Sequence, residues 1–98
     1  MAFETGTLDA TLVAAAGDDA ALMAELRMAF LESAHRQLDL LSRSRCDGNW
    51  AVAAMRLKGL AASFHAEEIM ELANSALEGV PGDPAIIRQI DVALQNFS

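Results

Sequence analysis

The segment with the most unusual chemistry is Met55-Arg56-Leu57-Lys58-Gly59-Leu60-Ala61-Ala62, which lies within a long run of helix-forming residues. A glycine inside a helix costs about 1 kcal/mol relative to alanine. Residues three and four positions apart share one face of a helix, and a missing side chain there lets another surface come close. The segment therefore predicts either a solvated face that tolerates a glycine or a partner-binding strip. The residues of that strip are Met55, Arg56, Lys58, Gly59 and Ala62.

The other side chains that could act as nucleophiles or metal ligands are His35, His65 and the single cysteine, Cys46. His65 follows Met55 by ten residues, which in a helix is about 15 Å along the axis and about 80° short of a full turn. This position favours a residue that closes a helix with a positive φ, which histidine tolerates better than most residues. His35 is predicted to be a solvated surface residue. Two isolated histidines and one cysteine make no metal-binding framework, so we expect no metal and no cofactor.

The positive charges are concentrated in one part of an acidic chain. Seven basic and fourteen acidic residues give a net charge of −7, yet Arg43, Arg45, Arg56 and Lys58 all lie within 16 consecutive positions. Cations near the C-terminal end of a helix account for Arg43 and Arg45 but not for Arg56 and Lys58. The net charge argues against nucleic-acid binding. A basic strip on an acidic domain instead suits an acidic protein partner.

The composition predicts that helices position this strip. Hydrophobic residues make up 53% of the 98 residues, aromatic residues only 5%, and alanine, leucine, methionine and glutamate are frequent. These are strong helix formers, and the length suffices for one domain over residues 1–98. No stretch approaches the length of a membrane span, and Met1-Ala-Phe-Glu lacks the basic start and apolar run of a signal peptide. We therefore expect an all-α, soluble cytoplasmic protein with no membrane contact.

Glycine, proline and aspartate clusters divide the chain into five predicted helices. These span about residues 9–16, 20–44, 49–64, 66–77 and from 84 onward. The predicted N-caps are Asp18 or Asp19, Asp47 or Asn49, and Asp83 before Pro84, a favoured first helical residue. Four amphipathic helices with short connections predict an antiparallel four-helix bundle, with the short N-terminal helix covering one end.

Apolar residues at helical spacing are predicted to form the core. They are Leu22, Leu26, Phe30, Leu38 and Leu41; Trp50, Ala54, Leu57, Ala61 and Phe64; Ile69, Leu72, Ala73 and Ala76; and Ile87, Ile90, Leu94 and Phe97, with Ile86 and Ala93 alongside. Ser63 is predicted on the exposed face with the strip. Met55 is interpreted as an exposed contact residue rather than as partial core, because Ala54 and Leu57 already fill the buried face.

The order of these segments resembles that of histidine-containing phosphotransfer (HPt) domains. The motif of that family reads His-x-Leu-Lys-Gly, then small residues, Gly-Ala, an acidic-apolar stretch and Leu-Glu. Here Met55-Arg56-Leu57-Lys58-Gly59 is followed by Ala66-Glu67-Glu68-Ile69 and by Leu77-Glu78. Upstream, Gly17-Asp18-Asp19 and Phe30-Leu31-Glu32 are similar to the first long helix of the family, and Asp47-Gly48-Asn49-Trp50 to the turn into its phosphohistidine helix. The resemblance covers nearly the whole chain.

The resemblance implies an HPt-like domain without its phosphoacceptor. Met55 stands at the position of the phosphorylated histidine, and a thioether has no basic nitrogen to accept a phosphoryl group. In the family, the residue corresponding to Lys58 neutralises phosphoryl charge and the one corresponding to Gly59 admits the receiver domain. His65 replaces a family glycine. The implied role is non-enzymatic: an adaptor or modulator of phosphorelay signalling that docks on a response-regulator receiver domain or a histidine kinase.

Two other functions are consistent with the sequence. The first is an active phosphotransfer protein that uses His65 or His35 in place of the missing histidine. The second is a structural or oligomerisation bundle with no signalling partner.

Overall fold

The computed structural model describes residues 19–97, in which all regular secondary structure is helical and no strand occurs. The helices are α1 (Ala20–Ser42), α2 (Asp47–Ser63), α3 (Glu67–Glu78) and α4 (Pro84–Gln95). The prediction of an all-helical fold is confirmed for this part of the chain, and the short helix expected over residues 9–16 lies outside it. None of the four helices is long and apolar enough to cross a membrane.

Side chains cap the N-termini of three of the four helices, whereas the N-cap of α3, Ala66, has no side-chain hydrogen bond. The Asp19 carboxylate accepts a hydrogen bond from the Leu22 amide at 3.0 Å, and that of Asp83 accepts from the Ala85 amide at 2.9 Å. Both caps agree with the predictions. The predicted start of α2 is wrong, because Asp47 is already helical and Cys46 is the N-cap, with its sulfur accepting from the Asn49 amide at 3.5 Å. Asp47 instead places its negative charge in the first turn, where the helix dipole favours it.

One apolar core joins the four helices. Eight of its 17 buried hydrophobic residues are alanines, whose small side chains allow helices to approach closely. The largest fully buried side chains are Phe30, Leu41, Leu57, Ile69, Ile90 and Leu94. Phe64, Leu72, Ile87 and Phe97 are only partly buried, whereas Ile86 is buried, with 8% of its surface exposed.

Three burial predictions are wrong, for two separate reasons. Leu22 is exposed and Leu26 is only partly buried, since none of residues 20–29 of α1 is buried by the rest of the described chain. Ser63 is buried, because α2 packs against both α1 and α3 and so has a wide buried face. The Ser63 hydroxyl donates to the Gly59 carbonyl oxygen at 3.0 Å, within the same helix.

Trp50 fixes α2 against α3. Its buried indole Nε1 donates a hydrogen bond to the carbonyl oxygen of Ala76 at 2.8 Å. Ala76 lies in the last turn of α3, where backbone carbonyls lack a partner within the helix. The bond therefore satisfies two buried groups and helps to hold the exposed face of α2 in a defined orientation.

Candidate functional site

The exposed side of α2 carries a line of small and apolar residues. Met55, Gly59 and Ala62 follow one another at spacings of four and three, so they lie on one face. Met55 is 63% exposed, which confirms its predicted exposure. A Cβ atom placed on Gly59 would meet no heavy atom within 4 Å, so the space above it is open. We call Met55, Gly59 and Ala62 the central strip.

The two cations of the predicted site lie on opposite sides of the central strip. Lys58 Nζ donates to Asn74 Oδ1 of α3 at 3.1 Å, which places Lys58 on the α3 side. Arg56 lines two hollows between α1 and α2. Both side chains are exposed, and neither forms an ion pair with a carboxylate of residues 19–97. The structure thus brings all five predicted site residues onto one exposed surface, with a positive charge at each edge.

Sequence reasoning missed two residues of this surface. Val52 is exposed and precedes Met55 by three positions, so it extends the central strip by one turn. Its spacing of three residues from Met55 is enough to predict, from the sequence alone, that Val52 lies on the same face. Asn74, which binds Lys58, comes from another helix and could be identified only from the packing of α3 against α2.

His65 ends α2, as predicted. Its φ of 54° is the one positive φ found at a non-glycine residue within residues 19–97. Its amide donates to the carbonyl oxygen of Ala62 at 3.3 Å, and the Ala66 amide donates to that of Ala61 at 2.8 Å. These two bonds form the Schellman arrangement that closes many helices, in which this position is usually glycine. The histidine thus has a structural role at the end of α2, beyond the central strip.

Replacing His65 with glycine is expected to raise the free energy of unfolding by about 0.5–1 kcal/mol. Glycine removes the steric cost of a left-handed residue, about 1–2 kcal/mol, and this exceeds its greater entropy loss on folding. His65→Val is the matched control and should destabilise, because a β-branched residue fits this region poorly. Urea unfolding followed by Trp50 fluorescence measures both. Equal stabilities for the two variants would contradict the assigned role of the backbone at His65.

The remaining candidates do not join the strip. His35 is exposed on α1, and Cys46 caps α2 at its other end. Among residues 19–97, no group of three histidine, cysteine, aspartate or glutamate side chains is placed to hold a metal ion.

Comparison with known proteins identifies no relative: no protein-family model matches the chain, and no match was found among curated proteins or solved structures. Function must therefore be argued from the surface itself. Its centre combines a soft apolar thioether with an uncovered stretch of helix backbone. Such a surface can bind another protein by apolar contact, while the flanking cations attract carboxylates.

Proposed function

We propose that the chain is an HPt-like antiparallel four-helix bundle that has lost its phosphoacceptor and acts by docking. Its partner is the receiver domain of a response regulator or a histidine kinase, and it acts in the cytoplasm as an adaptor or modulator of a phosphorelay. The observation that carries the proposal is the open, exposed line of Met55, Gly59 and Ala62 between Arg56 and Lys58. This is the arrangement that the resemblance to HPt domains implies.

The charges of this surface suit such a partner. Receiver domains present a cluster of carboxylates at their phosphorylation site. Arg56 and Lys58 lie free of carboxylate partners in the described part of an otherwise acidic chain. Opposite potentials favour encounter and fix the orientation of a complex. Met55 would then occupy the centre of the contact as a flexible apolar residue.

The presence of Met55 at the phosphoacceptor position implies that the domain docks on its partner without transferring phosphate. Its thioether cannot accept a phosphoryl group as imidazole does, so the proposed role is not enzymatic. Phosphotransfer through His65 has less support, because its backbone closes α2 and its position is about 15 Å along the helix from Met55. Transfer of radiolabelled phosphate from phosphorylated receivers distinguishes the two possibilities, and labelling of His65 or His35 would overturn the docking role.

Gly59 provides the sharpest test of docking. Gly59→Ala should raise the free energy of unfolding by up to about 1 kcal/mol, because alanine is the better helix former and its Cβ meets no neighbour. Gly59→Gln should also fold but should weaken binding to the partner by about tenfold or more, since the long side chain fills the space above α2. Binding is measured by calorimetry against receiver and kinase domains from the same organism.

The control for this experiment adds the same side chain elsewhere. Ala24→Gln lies on the exposed N-terminal part of α1 and should bind like the unmodified protein. A strong loss of stability in Gly59→Ala would mean that Gly59 serves helix packing. If no receiver or kinase domain binds the unmodified protein, the structural-bundle function replaces the proposed one.

A further inference from the structure

A groove runs between α1 and α2 beside the central strip. It consists of two hollows of about 420 Å³ and 360 Å³ that meet at Arg56. One wall consists of Ser33, Arg36, Gln37 and Leu40 of α1, followed by Arg43 and Ser44 directly after the helix ends. The wall from α2 consists of Asn49, Val52, Ala53, Arg56, Leu60 and Ser63, together with Gly59, which the groove shares with the central strip. Both sets recur every three or four residues, so each is one continuous face, and the part of the wall on α1, from Ser33 to Leu40, is about 10.5 Å long.

The charge of the groove is opposite to that of the chain. Arg36, Arg43 and Arg56 line it, whereas no aspartate or glutamate does, although the chain carries a net charge of −7. Arg43 pairs with Asp39 at 2.9 Å, but both side chains are more than 60% exposed and such pairs contribute little. Arg36 donates only to the Ser33 hydroxyl, at 3.0 Å, among its described contacts. The groove therefore offers three cations to an incoming carboxylate.

The groove also has apolar and hydrogen-bonding surface. Leu40 and Val52 are exposed within it, and Leu60 is half-buried. Gln37 lines the same groove, and its Oε1 is buried with no hydrogen-bond partner among the described residues. An unpaired buried acceptor costs about 1–3 kcal/mol. A donor on an occupant would recover part of that cost only if the Gln37 side chain turned its Oε1 outward into the groove.

We propose that this groove binds an acidic amphipathic helix of the partner protein. Arg36 lies in α1 and Arg43 is the C-cap of that helix, seven residues later, which is about 10.5 Å at the helical rise. Two carboxylates seven residues apart on the bound helix have the same separation, so one edge of that helix can pair with both arginines while Arg56 approaches from the other wall. Apolar residues of the bound helix would cover Leu40, Val52 and Leu60, as in other helix-in-groove complexes.

This inference deepens the proposed function, since it names the element of the partner that lies beside the central strip. It can nevertheless be tested without any receiver or kinase. The probe is a synthetic helical peptide of about 16 residues, rich in alanine and leucine, with glutamates seven residues apart. The matched peptide has glutamine at the same positions. Both are titrated into the ¹⁵N-labelled chain of 98 residues, and amide shifts are followed by NMR.

The glutamate peptide should shift amides of both groove walls, residues 33–44 and 49–63, and leave those of α4 unchanged. The glutamine peptide should bind about tenfold more weakly, and binding of the glutamate peptide should weaken as salt rises from about 50 to 300 mM. Arg36→Gln and Arg56→Gln should each weaken binding about fivefold or more. The control variant Arg88→Gln changes an exposed arginine of α4 and should bind normally.

Several outcomes would overturn the proposal. These are the absence of any shift, equal binding of the two peptides, and shifts on another face. Self-association through the groove, measured by ultracentrifugation, would make a second copy the occupant. Binding only after deletion of residues 1–18 would make that segment the occupant.

The groove proposal and the proposed function can fail independently. If the peptide binds but no receiver or kinase domain does, the groove proposal stands and the proposed function fails. If a receiver or kinase domain binds, and Gly59→Gln weakens that binding while Arg36→Gln does not, the proposed function stands and the groove proposal fails.

Discussion

Replacing Phe30 with alanine is expected to lower the free energy of unfolding by about 3–5 kcal/mol. Phe30 is 2% exposed, and its ring lies between those of Phe64 and Phe97, with centroid distances of 4.8 Å and 4.9 Å. The change removes the central ring of this cluster and leaves a cavity where α1, the end of α2 and the end of α4 meet. A domain of this size is stable by only about 5–15 kcal/mol, so a large share of its stability would be lost.

Urea unfolding measures this effect through Trp50, the single tryptophan, whose buried indole reports on packing of α2 against α3. The control is Met28→Ala, two residues earlier on α1, where the side chain is 62% exposed. It should change the free energy of unfolding by about 0.5 kcal/mol or less. Similar losses in the two variants would show that the three phenylalanines do not form a packed cluster.

The helices could be predicted because each of their signals is local. Alternation of apolar residues at three and four positions, together with Asp19, Asp83 and Pro84, is enough to place α1 and α4. The start of α2 was placed two residues late. A cysteine sulfur is a weak hydrogen-bond acceptor and is not among the preferred N-caps, so Asp47 and Asn49 were the better candidates on sequence alone.

Burial was less predictable, because it depends on how many neighbours a helix has. The periodicity of α2 indicates one apolar face but not that two helices cover it, which is why the sequence alone predicts Ser63 on the exposed face. The periodicity of α1 begins at Leu22, although burial begins only at Phe30. A local pattern shows which side of a helix can be buried, while the neighbours decide over what length and width.

The central strip and the groove also differ in how far they can be predicted from the sequence. The central strip belongs to a single helix, so the spacing of Met55, Gly59 and Ala62 was enough to predict it. The groove joins Arg36 and Arg56, which are 20 positions apart and meet only through the packing of α1 against α2. No pattern within either helix indicates that these two arginines line one hollow.

Met55→His is expected to convert the protein from phosphate-inert to phosphate-accepting. Met55 is exposed, so an imidazole at this position would be exposed as well, and histidine with its ordinary pKa near 6.5 is mostly neutral above pH 7. Its free nitrogen could attack the phosphorus of an aspartyl phosphate on a docked receiver and release the aspartate carboxylate. Lys58, three residues later on the same face, could pair with the transferred phosphoryl group. It would have to leave Asn74, and an exposed hydrogen bond of this kind contributes only about 1 kcal/mol.

The measurement is transfer of radiolabelled phosphate from the phosphorylated receivers of the same organism to the purified variant. The unmodified protein should take up no label, and in excess it should compete with the variant because both occupy the same receiver surface. The matched control is Met28→His, which replaces a methionine of α1 that is as exposed as Met55 (62% against 63%) and has no lysine three or four positions away. It should remain unlabelled, which would show that transfer requires the position beside Lys58 and Gly59 rather than any surface histidine. A folded Met55→His protein that takes label from no receiver would mean that the docking face, and not only the nucleophile, is absent. The structural-bundle function would then be the better account of this surface.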